Sequence, residues 1–400
     1  SFWGLSFPFL LHPRLHALLI AMMHHARRRG AKEAPYNVST YIAKSSLQGK
    51  LGMEQTGGSK SISPSRKQAN QFLERHLDAL RCKMRSDPNV GPVASQAAGR
   101  SLGHKLTFAA QEGVAPCFTD KSALAHYMLN RCYFRVGIVY KTLLCQDPTM
   151  SRLRAELFET KRKEIHVVSV GGGPGFDAIA VALVACLHGN CTTVRCTVFD
   201  REIRWKGLFE SLSAHLEECF GMSSSGSRKG PIVKTGFQSC DICLPLSHPE
   251  NEKLAQAFQC GVDLCSFCYV VHENEAELRK PDTPISHGVG GIFPELFQAL
   301  AKQAAQSTGL LFLDSTPRLW PAFVAEATSH GLGACLPGLH EGSALAREPL
   351  LLMAGPLQRG NSLDDEESHR MLQQLACHES YLMASDRRRA RGSFGQKEAS

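Results

Sequence analysis

The sequence predicts an α/β fold in which a doubly wound, mostly parallel sheet carries helices on both faces. From residue 165 onward, short runs of β-branched residues alternate with longer helical patterns, as in successive strand-helix units. One of these runs ends in a glycine-rich turn that is followed by an apolar helix. With 400 residues, of which 43% are apolar and 20% charged, the chain can bury a large core.

The individual elements follow from hydrophobic periodicity. Runs rich in Val, Ile, Leu and Phe predict strands at 165–170, 193–199, 232–237, 262–271, 309–314 and 350–354. Apolar residues at helical spacing predict helices between them at 177–188, 203–220, 293–306 and 321–330. A helical cap at 120–163 precedes the first strand, and its segment 133–140 is expected either to lie over a pocket at the sheet or to pack only into the core.

The chain divides into three predicted regions: a basic extension of low order at 1–107, a folded domain at 108–358, and a helix with a basic tail at 359–400. Within the extension, apolar residues at helical spacing predict one short helix at 67–84. Residues 1–110 hold 16 Lys and Arg against 5 Asp and Glu. A basic extension on a near-neutral domain fits a protein that contacts nucleic acid, but a targeting or solvated tail is the more common reason for such a composition, since charge runs are usually solvated.

Cysteine content and hydropathy indicate the cellular compartment of the chain and whether it contains a membrane segment. Fifteen cysteines at irregular spacing, without a secretory signal pattern, predict reduced thiols in an intracellular compartment such as the cytoplasm or nucleus. The first 70 residues contain only two acids, a composition that also suits import into an organelle. No window approaches the roughly 18 uninterrupted apolar residues of a spanning helix, so we expect no membrane segment.

Two Cys-x-x-Cys pairs have a spacing close to that of a four-cysteine zinc site: Cys240 with Cys243, and Cys265 with Cys268. The second pair falls in the strand predicted at 262–271, where positions three apart point to opposite faces of the sheet. Because such side chains do not converge easily on one ion, we expect buried thiols and no metal.

The glycine turn is the most informative motif. Four glycines, Gly171, Gly172, Gly173 and Gly175, follow a buried strand and precede an apolar helix, where backbone amides and the helix dipole can face a ligand. Dinucleotide sites read G-x-G-x-x-G/A, but Phe176 occupies the last of those positions. The turn reads G-x-G-x-G instead, and it resembles motif I of the class I S-adenosylmethionine-dependent methyltransferases.

The resemblance covers roughly residues 120–358 and implies a Rossmann-like, seven-stranded sheet with S-adenosyl-L-methionine as cofactor. By position it implies that Asp200, beside Arg201, holds the ribose hydroxyls, since a carboxylate can accept from two neighbouring hydroxyls. It likewise implies that Asp241 and Ile242 hold the adenine. Ser169 stands where many members carry an acid that contacts the methionine amino group, so that contact is expected to differ here.

The end of the fourth strand resembles motif IV, which lies beside the transferred methyl group. It implies that Tyr269 contacts the cofactor and that Tyr269, His272 and Glu273 lie nearest the chemistry. A general base would serve an imide, hydroxyl or acid acceptor, and His272 or Glu273 suits that role. The Asn-Pro-Pro-Tyr type of signature is absent, which disfavours methylation of adenine or glutamine amino groups.

The acceptor follows less directly from the sequence. The basic extension and tail favour RNA, and the glycine turn and motif IV resemble those of a eukaryotic group that includes ribosomal RNA uridine-N3 methyltransferases, which implies a role in rRNA processing. A small metabolite or a protein side chain is the alternative acceptor. Two further alternatives are a non-catalytic nucleotide-fold scaffold in an RNA or protein complex and a nicotinamide oxidoreductase, which the missing third glycine disfavours.

Overall fold

The structure is a computed structural model that describes residues 66–102, 118, 120–160, 162–188, 192–221, 231–279, 288–302, 308–314, 319–335 and 350–354. The predicted C-terminal helix and basic tail at 359–400 lie outside the described residues, as do residues 1–65. None of the described helices is long and apolar enough to cross a membrane.

Seven strands form one sheet: β1 Glu164–Val170, β2 Thr193–Asp200, β3 Ile232–Ser239, β4 Leu264–Cys268, β5 Gly309–Leu313, β6 Gly333–Cys335 and β7 Leu350–Met353. Their order is β3-β2-β1-β4-β5-β7-β6. The first five strands pair in parallel, and β7 runs antiparallel to both β5 and β6. The doubly wound, mostly parallel, seven-stranded sheet expected from the sequence is therefore confirmed.

Among the described residues, the α-helices with defined bounds are α1 Arg66–Ser86, α2 Lys121–Leu143, α3 Pro148–Arg154, α4 Phe176–His188, α5 Trp205–Gly221, α6 Glu252–Cys260, α7 Glu275–Leu278, α8 Phe293–Lys302 and α9 Trp320–Ser329, and residues 96–102 are also helical. A π-helical turn, Ala155–Glu159, follows α3. Asp120 and Asp147 start α2 and α3 by accepting backbone N–H bonds with their side chains. Helices α6 and α7 and strand β6 were not predicted.

Strand β4 is shorter than the predicted run at 262–271. It ends at Cys268, and the next residue, Tyr269, has a φ of +66°, a left-handed conformation outside the range of a regular strand. The Tyr269 amide donates to the Leu313 carbonyl over 2.7 Å, which fixes the chain as it leaves the sheet. The residues expected near the chemistry therefore lie in a turn and a 3₁₀ helix, His272–Asn274, instead of a strand.

Two apolar clusters cover the two faces of the sheet. On one face, Phe267 and Phe312 of adjacent strands stack at 4.6 Å, and Phe293 of α8 meets Phe323 of α9 edge to face at 4.5 Å. The other face is covered by α2, α4 and α5. Strand β1 is buried along almost its whole length, as expected of a central parallel strand.

Helix α1, predicted at 67–84 inside the basic extension, packs into the second of these clusters. Leu73, Leu77, Leu80 and Met84 recur at helical spacing and are all buried there together with the apolar residues of α2. The Tyr140 hydroxyl of α2 donates to the Ala69 carbonyl over 3.0 Å. The core of the sheet domain thus includes a helix from the segment that the sequence assigned to the extension.

Candidate functional site

The cavity of the site lies at the carboxyl ends of β1, β2 and β4 and beside the segment that follows β3. This is where parallel strands on either side of β1 diverge, the position at which open α/β sheets bind ligands. Side chains from α2 close the cavity from above. It is lined mainly by Phe118, Tyr127, Arg135, Val139, Gly171–Pro174, Phe176, Asp177, Asp200–Glu202, Trp205, Cys240–Ile242, Cys268–Val270, Glu273 and Asn274.

The glycine turn needs its glycines for two different reasons. Gly171, Gly173 and Gly175 have φ values of +64°, +50° and +83°. A Cβ on Gly171 would lie 2.2 Å from Val270, and one on Gly175 would lie 2.5 Å from Phe209, so both positions are closed by packing. Gly173 lines the cavity, and a Cβ on Gly173 would have no neighbour closer than Trp205 at 3.5 Å. Gly173 is thus the glycine that leaves room for a ligand.

Asp200 ends β2 directly beside this turn. Its Oδ2 accepts the Gly173 amide N–H over 2.8 Å, and its Oδ1 accepts the Glu202 amide N–H over 2.8 Å. Burial raises the pKa of Asp200 to about 6, although both hydrogen bonds favour the ionised form. The carboxylate still has capacity for hydroxyl donors, since an ionised carboxyl group offers about four acceptor positions.

The turn after β3 presents Asp241 and Ile242 to the cavity. Asn251 is fully buried beneath it and donates its side-chain amide to the carbonyls of Asp241 and Pro245, each over 2.9 Å. Its Oδ1 accepts the Asp241 amide N–H over 2.9 Å. Arg201 lies 3.5 Å from the Asp241 carboxylate. Asn251 therefore fixes this turn, a role that no motif in the sequence indicated.

A buried carboxylate lies under the glycine turn at Asp177, the second residue of α4. Its Oδ2 accepts the hydroxyls of Ser169 over 2.9 Å and Ser266 over 2.7 Å. These two serines are paired in register on β1 and β4. Burial raises the pKa of Asp177, against the two hydrogen bonds. Ser169, which the resemblance placed at the cofactor, instead supports Asp177 and does not line the cavity.

Arg135 and Tyr269 form a further part of the cavity wall. The Arg135 guanidinium carbon lies 3.1 Å from the centroid of the Tyr269 ring, and one of its nitrogens donates to the Tyr127 hydroxyl over 3.4 Å. The left-handed backbone of Tyr269 directs its ring toward Arg135. Arg135 belongs to the segment 133–140 expected over the pocket, but the sequence did not single it out as a site residue.

The two remaining candidates for catalysis, His272 and Glu273, have different surroundings. Glu273 lines the cavity, and burial raises its pKa to about 7. His272 does not line the cavity, because its Nδ1 and its backbone N–H both face the carboxylate of Asp314, which is buried at the end of β5. Burial opposes the charged imidazolium, but the Asp314 carboxylate outweighs it and raises the pKa of His272.

Aromatic rings line the mouth of the cavity on the side of α2 and α5. Phe118 meets Trp205 at 5.7 Å, Tyr127 meets Trp205 at 5.8 Å, and Tyr127 stacks on Phe176 at 6.4 Å. Trp205 also lies over Gly173. No motif of the sequence indicated Phe118, Tyr127 or Trp205, because the three residues come from separate parts of the chain.

Most of the residues predicted for the site meet in this one cavity: Gly171, Gly172, Gly173, Asp200, Arg201, Asp241, Ile242, Tyr269 and Glu273. Ser169, Gly175 and His272 do not line the cavity. Ser169 donates to Asp177, Gly175 packs against Phe209, and His272 pairs with Asp314. Among the described residues, no group of three or more His, Cys, Asp or Glu side chains is arranged to hold a metal ion. Burial raises the pKa of Cys240 and Cys265, as for structural thiols.

No family model and no curated protein matches the chain. Solved structures do match. A precorrin-6y C5,15-methyltransferase from Geobacter metallireducens is 10% identical over 55% of this chain and 84% of its own, with a TM-score of 0.28. An rRNA methylase from Streptococcus thermophilus is 14% identical over 51% of this chain and 92% of its own, with a TM-score of 0.27. A mutant of MtNAS in complex with S-adenosylmethionine is 14% identical over 72% of this chain and 96% of its own, with a TM-score of 0.29.

Proposed function

We propose that the chain is an S-adenosylmethionine-dependent methyltransferase, and that the cofactor binds in the cavity at the ends of β1, β2 and β4. The observation that carries this proposal is the juxtaposition of the open Gly173 and the Asp200 carboxylate, joined by a 2.8 Å hydrogen bond at the divergence of the sheet. A nucleoside fits there because the turn leaves its backbone accessible and the carboxylate can accept from vicinal hydroxyls.

The donor and acceptor groups of the cavity suit each part of such a nucleoside. Asp200 accepts from the ribose hydroxyls. Asp241 accepts from the adenine amino group, while Ile242 packs against the ring. The Phe176 side chain, only 5% exposed, stands where a dinucleotide site has a glycine, which disfavours a nicotinamide cofactor.

When bound, the cofactor supplies an electrophilic methyl group, and the chain's own residues position the acceptor and receive its proton. Glu273 is the general base: with a pKa near 7 it is partly ionised at neutral pH and can take the proton from an N–H or O–H acceptor. Transfer of that methyl group would leave a neutral thioether, so the group that the chain itself would have to receive is the proton of the acceptor. His272, held by Asp314, positions the turn that carries Glu273.

We further propose RNA as the acceptor, with a base N–H of ribosomal RNA as the methylated group. The net excess of Lys and Arg in residues 1–110 supports this, since basic segments attract the phosphate backbone. Aromatic rings at the mouth of the cavity also suit an unstacked base. A small metabolite or protein acceptor, or a scaffold without catalysis, is the alternative.

The test is calorimetric titration of the full chain with S-adenosylmethionine, S-adenosylhomocysteine and NADH. We expect micromolar binding of the first two and none of NADH, followed by methyl transfer to RNA detected by mass spectrometry. Binding of NADH alone would overturn the proposal. Cofactor binding without transfer to any RNA, metabolite or protein would favour the scaffold.

A further inference from the structure

We propose that Arg135 and Asp177 together form a clamp for the zwitterionic amino-acid end of the cofactor, with Arg135 on its carboxylate and Asp177 on its ammonium group. This inference rests on the proposed function, because it assigns the part of the same cavity that Asp200 and Asp241 do not use. Neither residue was assigned by the motifs of the sequence.

Arg135 is a guanidinium that forms no ion pair with any carboxylate of the described residues, although Glu273 and Asp314 are near enough to raise its pKa. Within that part of the chain, its one hydrogen bond is the 3.4 Å contact with Tyr127. A guanidinium has five N–H donors, and removing such a group from water is costly unless an anion meets it. Arg135 lines the cavity, so the anion it suits is a ligand.

Asp177 supplies the opposite charge at the same cavity. Its side chain is 3% exposed, and both serine hydroxyls donate to one oxygen, Oδ2. The Cys268 thiol is a further hydrogen-bonding neighbour. A carboxylate so placed has acceptor capacity left for an ammonium group that enters from the cavity. Burying this charge without such a cation is unfavourable, which gives the site a reason to bind one.

The two groups face one cavity without pairing with each other. They are close enough for Arg135 to favour the ionised form of Asp177, yet no ion pair joins them among the described residues. An α-amino acid carries both charges on one carbon and can bridge such a gap. A simple anion would satisfy Arg135 but be repelled by Asp177, so the pair selects a zwitterion over a phosphate or a plain carboxylate.

Asp177 also accounts for the missing acid on β1. Its Oδ2 lies 2.9 Å from the Ser169 hydroxyl, so the carboxylate is next to the strand position where the resemblance leads one to expect an acid. Here the acid stands in the first turn of α4, and the paired serines Ser169 and Ser266 donate to it from β1 and β4. Ser169, which departs from the motif, thus supports Asp177, the acid that we propose takes over the role of the missing one.

The test compares three ligands by calorimetry on the full chain: S-adenosylhomocysteine, its decarboxylated analogue, and 5′-methylthioadenosine, which lacks the amino-acid end. We expect S-adenosylhomocysteine to bind at least about tenfold more tightly than either of the others. Equal affinities in the wild-type chain would overturn the clamp while leaving the proposed function intact. Failure of all three to bind would overturn the proposed function and the clamp with it.

Two variants test whether Arg135 and Asp177 cause this difference in affinity. Arg135→Met keeps an apolar stem against Tyr269, and Asp177→Asn keeps the size of the side chain. We expect each variant to bind S-adenosylhomocysteine at least about tenfold more weakly than the wild-type chain. Its affinity for 5′-methylthioadenosine should stay within about twofold of the wild-type value. Arg131→Met, an exposed change one turn away on α2, is the matched control and should alter neither affinity. An equal loss for both ligands, in variants whose circular dichroism is native, would contradict the clamp.

Discussion

Asp200 and Glu273 are two carboxyl groups whose pKa values burial raises to about 6 and about 7, respectively. The resemblance to methyltransferase motifs singled out both residues, Asp200 at the end of β2 and Glu273 shortly after β4. It did not predict Asp177 or Arg135, since both lie within helices where a charged residue is ordinarily solvated. Their placement depends on β1, β4 and α2 meeting in space, which no local pattern encodes.

Replacing Asp200 by Asn should weaken S-adenosylmethionine binding by about 1.5 to 3 kcal/mol, because charge-assisted hydrogen bonds to the ribose become neutral ones. Only the ionised carboxylate accepts from both hydroxyls, so wild-type affinity should rise as pH increases through about 6. Calorimetry between pH 5 and 8 measures both effects. An Asp200→Asn chain with wild-type affinity, or one that keeps the rise near pH 6, would count against this role.

Replacing Glu273 by Gln should lower the rate of methyl transfer by about 10²- to 10⁴-fold while leaving cofactor affinity near wild type, because a positioned base acts on the chemical step. The wild-type rate should increase with pH through about 7 and then level off, since the ionised form is the base. The variant should lose that inflection. The measurement is a pH–rate profile of both chains on the acceptor identified by mass spectrometry. If Glu273→Gln kept the same inflection as the wild-type chain, Glu273 would not be the general base.

The glycine turn and the end of β4 are the elements that create the cavity. The G-x-G-x-G spacing predicted the turn, yet only the structure separates Gly173, which faces the ligand space, from Gly171 and Gly175, which face packed side chains. The early end of β4 was missed because apolar residues continue past Cys268, and an apolar run does not reveal a positive φ. Strand β6 has three residues, too few for a detectable period.

The same substitution at two glycines should therefore have different effects. Gly171→Ala places a Cβ 2.2 Å from Val270, so it should lower the free energy of unfolding by about 1 to 3 kcal/mol through overpacking, with added backbone strain. Gly173→Ala carries a similar backbone strain but meets only Trp205 at 3.5 Å. It should cost less stability and weaken cofactor binding instead, because its methyl group enters the ligand space.

Denaturant unfolding and calorimetry on both variants separate these effects. The expected order is a greater loss of stability in Gly171→Ala and a greater loss of affinity, at least about tenfold, in Gly173→Ala. If Gly173→Ala bound the cofactor normally, the assignment of this turn to the ligand would be wrong.

At the scale of the whole molecule, the sequence predicted the sheet but not how much of the chain covers it. Strand-helix alternation is a local signal, and the handedness of parallel connections then leaves few topologies. The packing of α1 on α2 joins residues about 70 positions apart, as in the hydrogen bond from Tyr140 to Ala69, and composition assigned that stretch to a solvated basic segment. The sequence of a short amphipathic helix shows which of its faces is apolar but not which other element that face packs against.

Removing α1 should therefore destabilise the sheet domain. A chain that begins at residue 108 lacks Leu73, Leu77, Leu80 and Met84, each fully or nearly fully buried, and burying one such side chain contributes about 1.5 to 3 kcal/mol. Domains are stable by only about 5 to 15 kcal/mol, so we expect this chain to unfold at a much lower temperature or to aggregate. A chain that begins at residue 57, where the compact unit starts, is the control and should unfold like the full chain. Removal of α1 exposes an apolar face of α2. Equal unfolding temperatures for the two shortened chains would show that this exposure does not lower stability, and the proposed stabilising role of α1 would then be wrong.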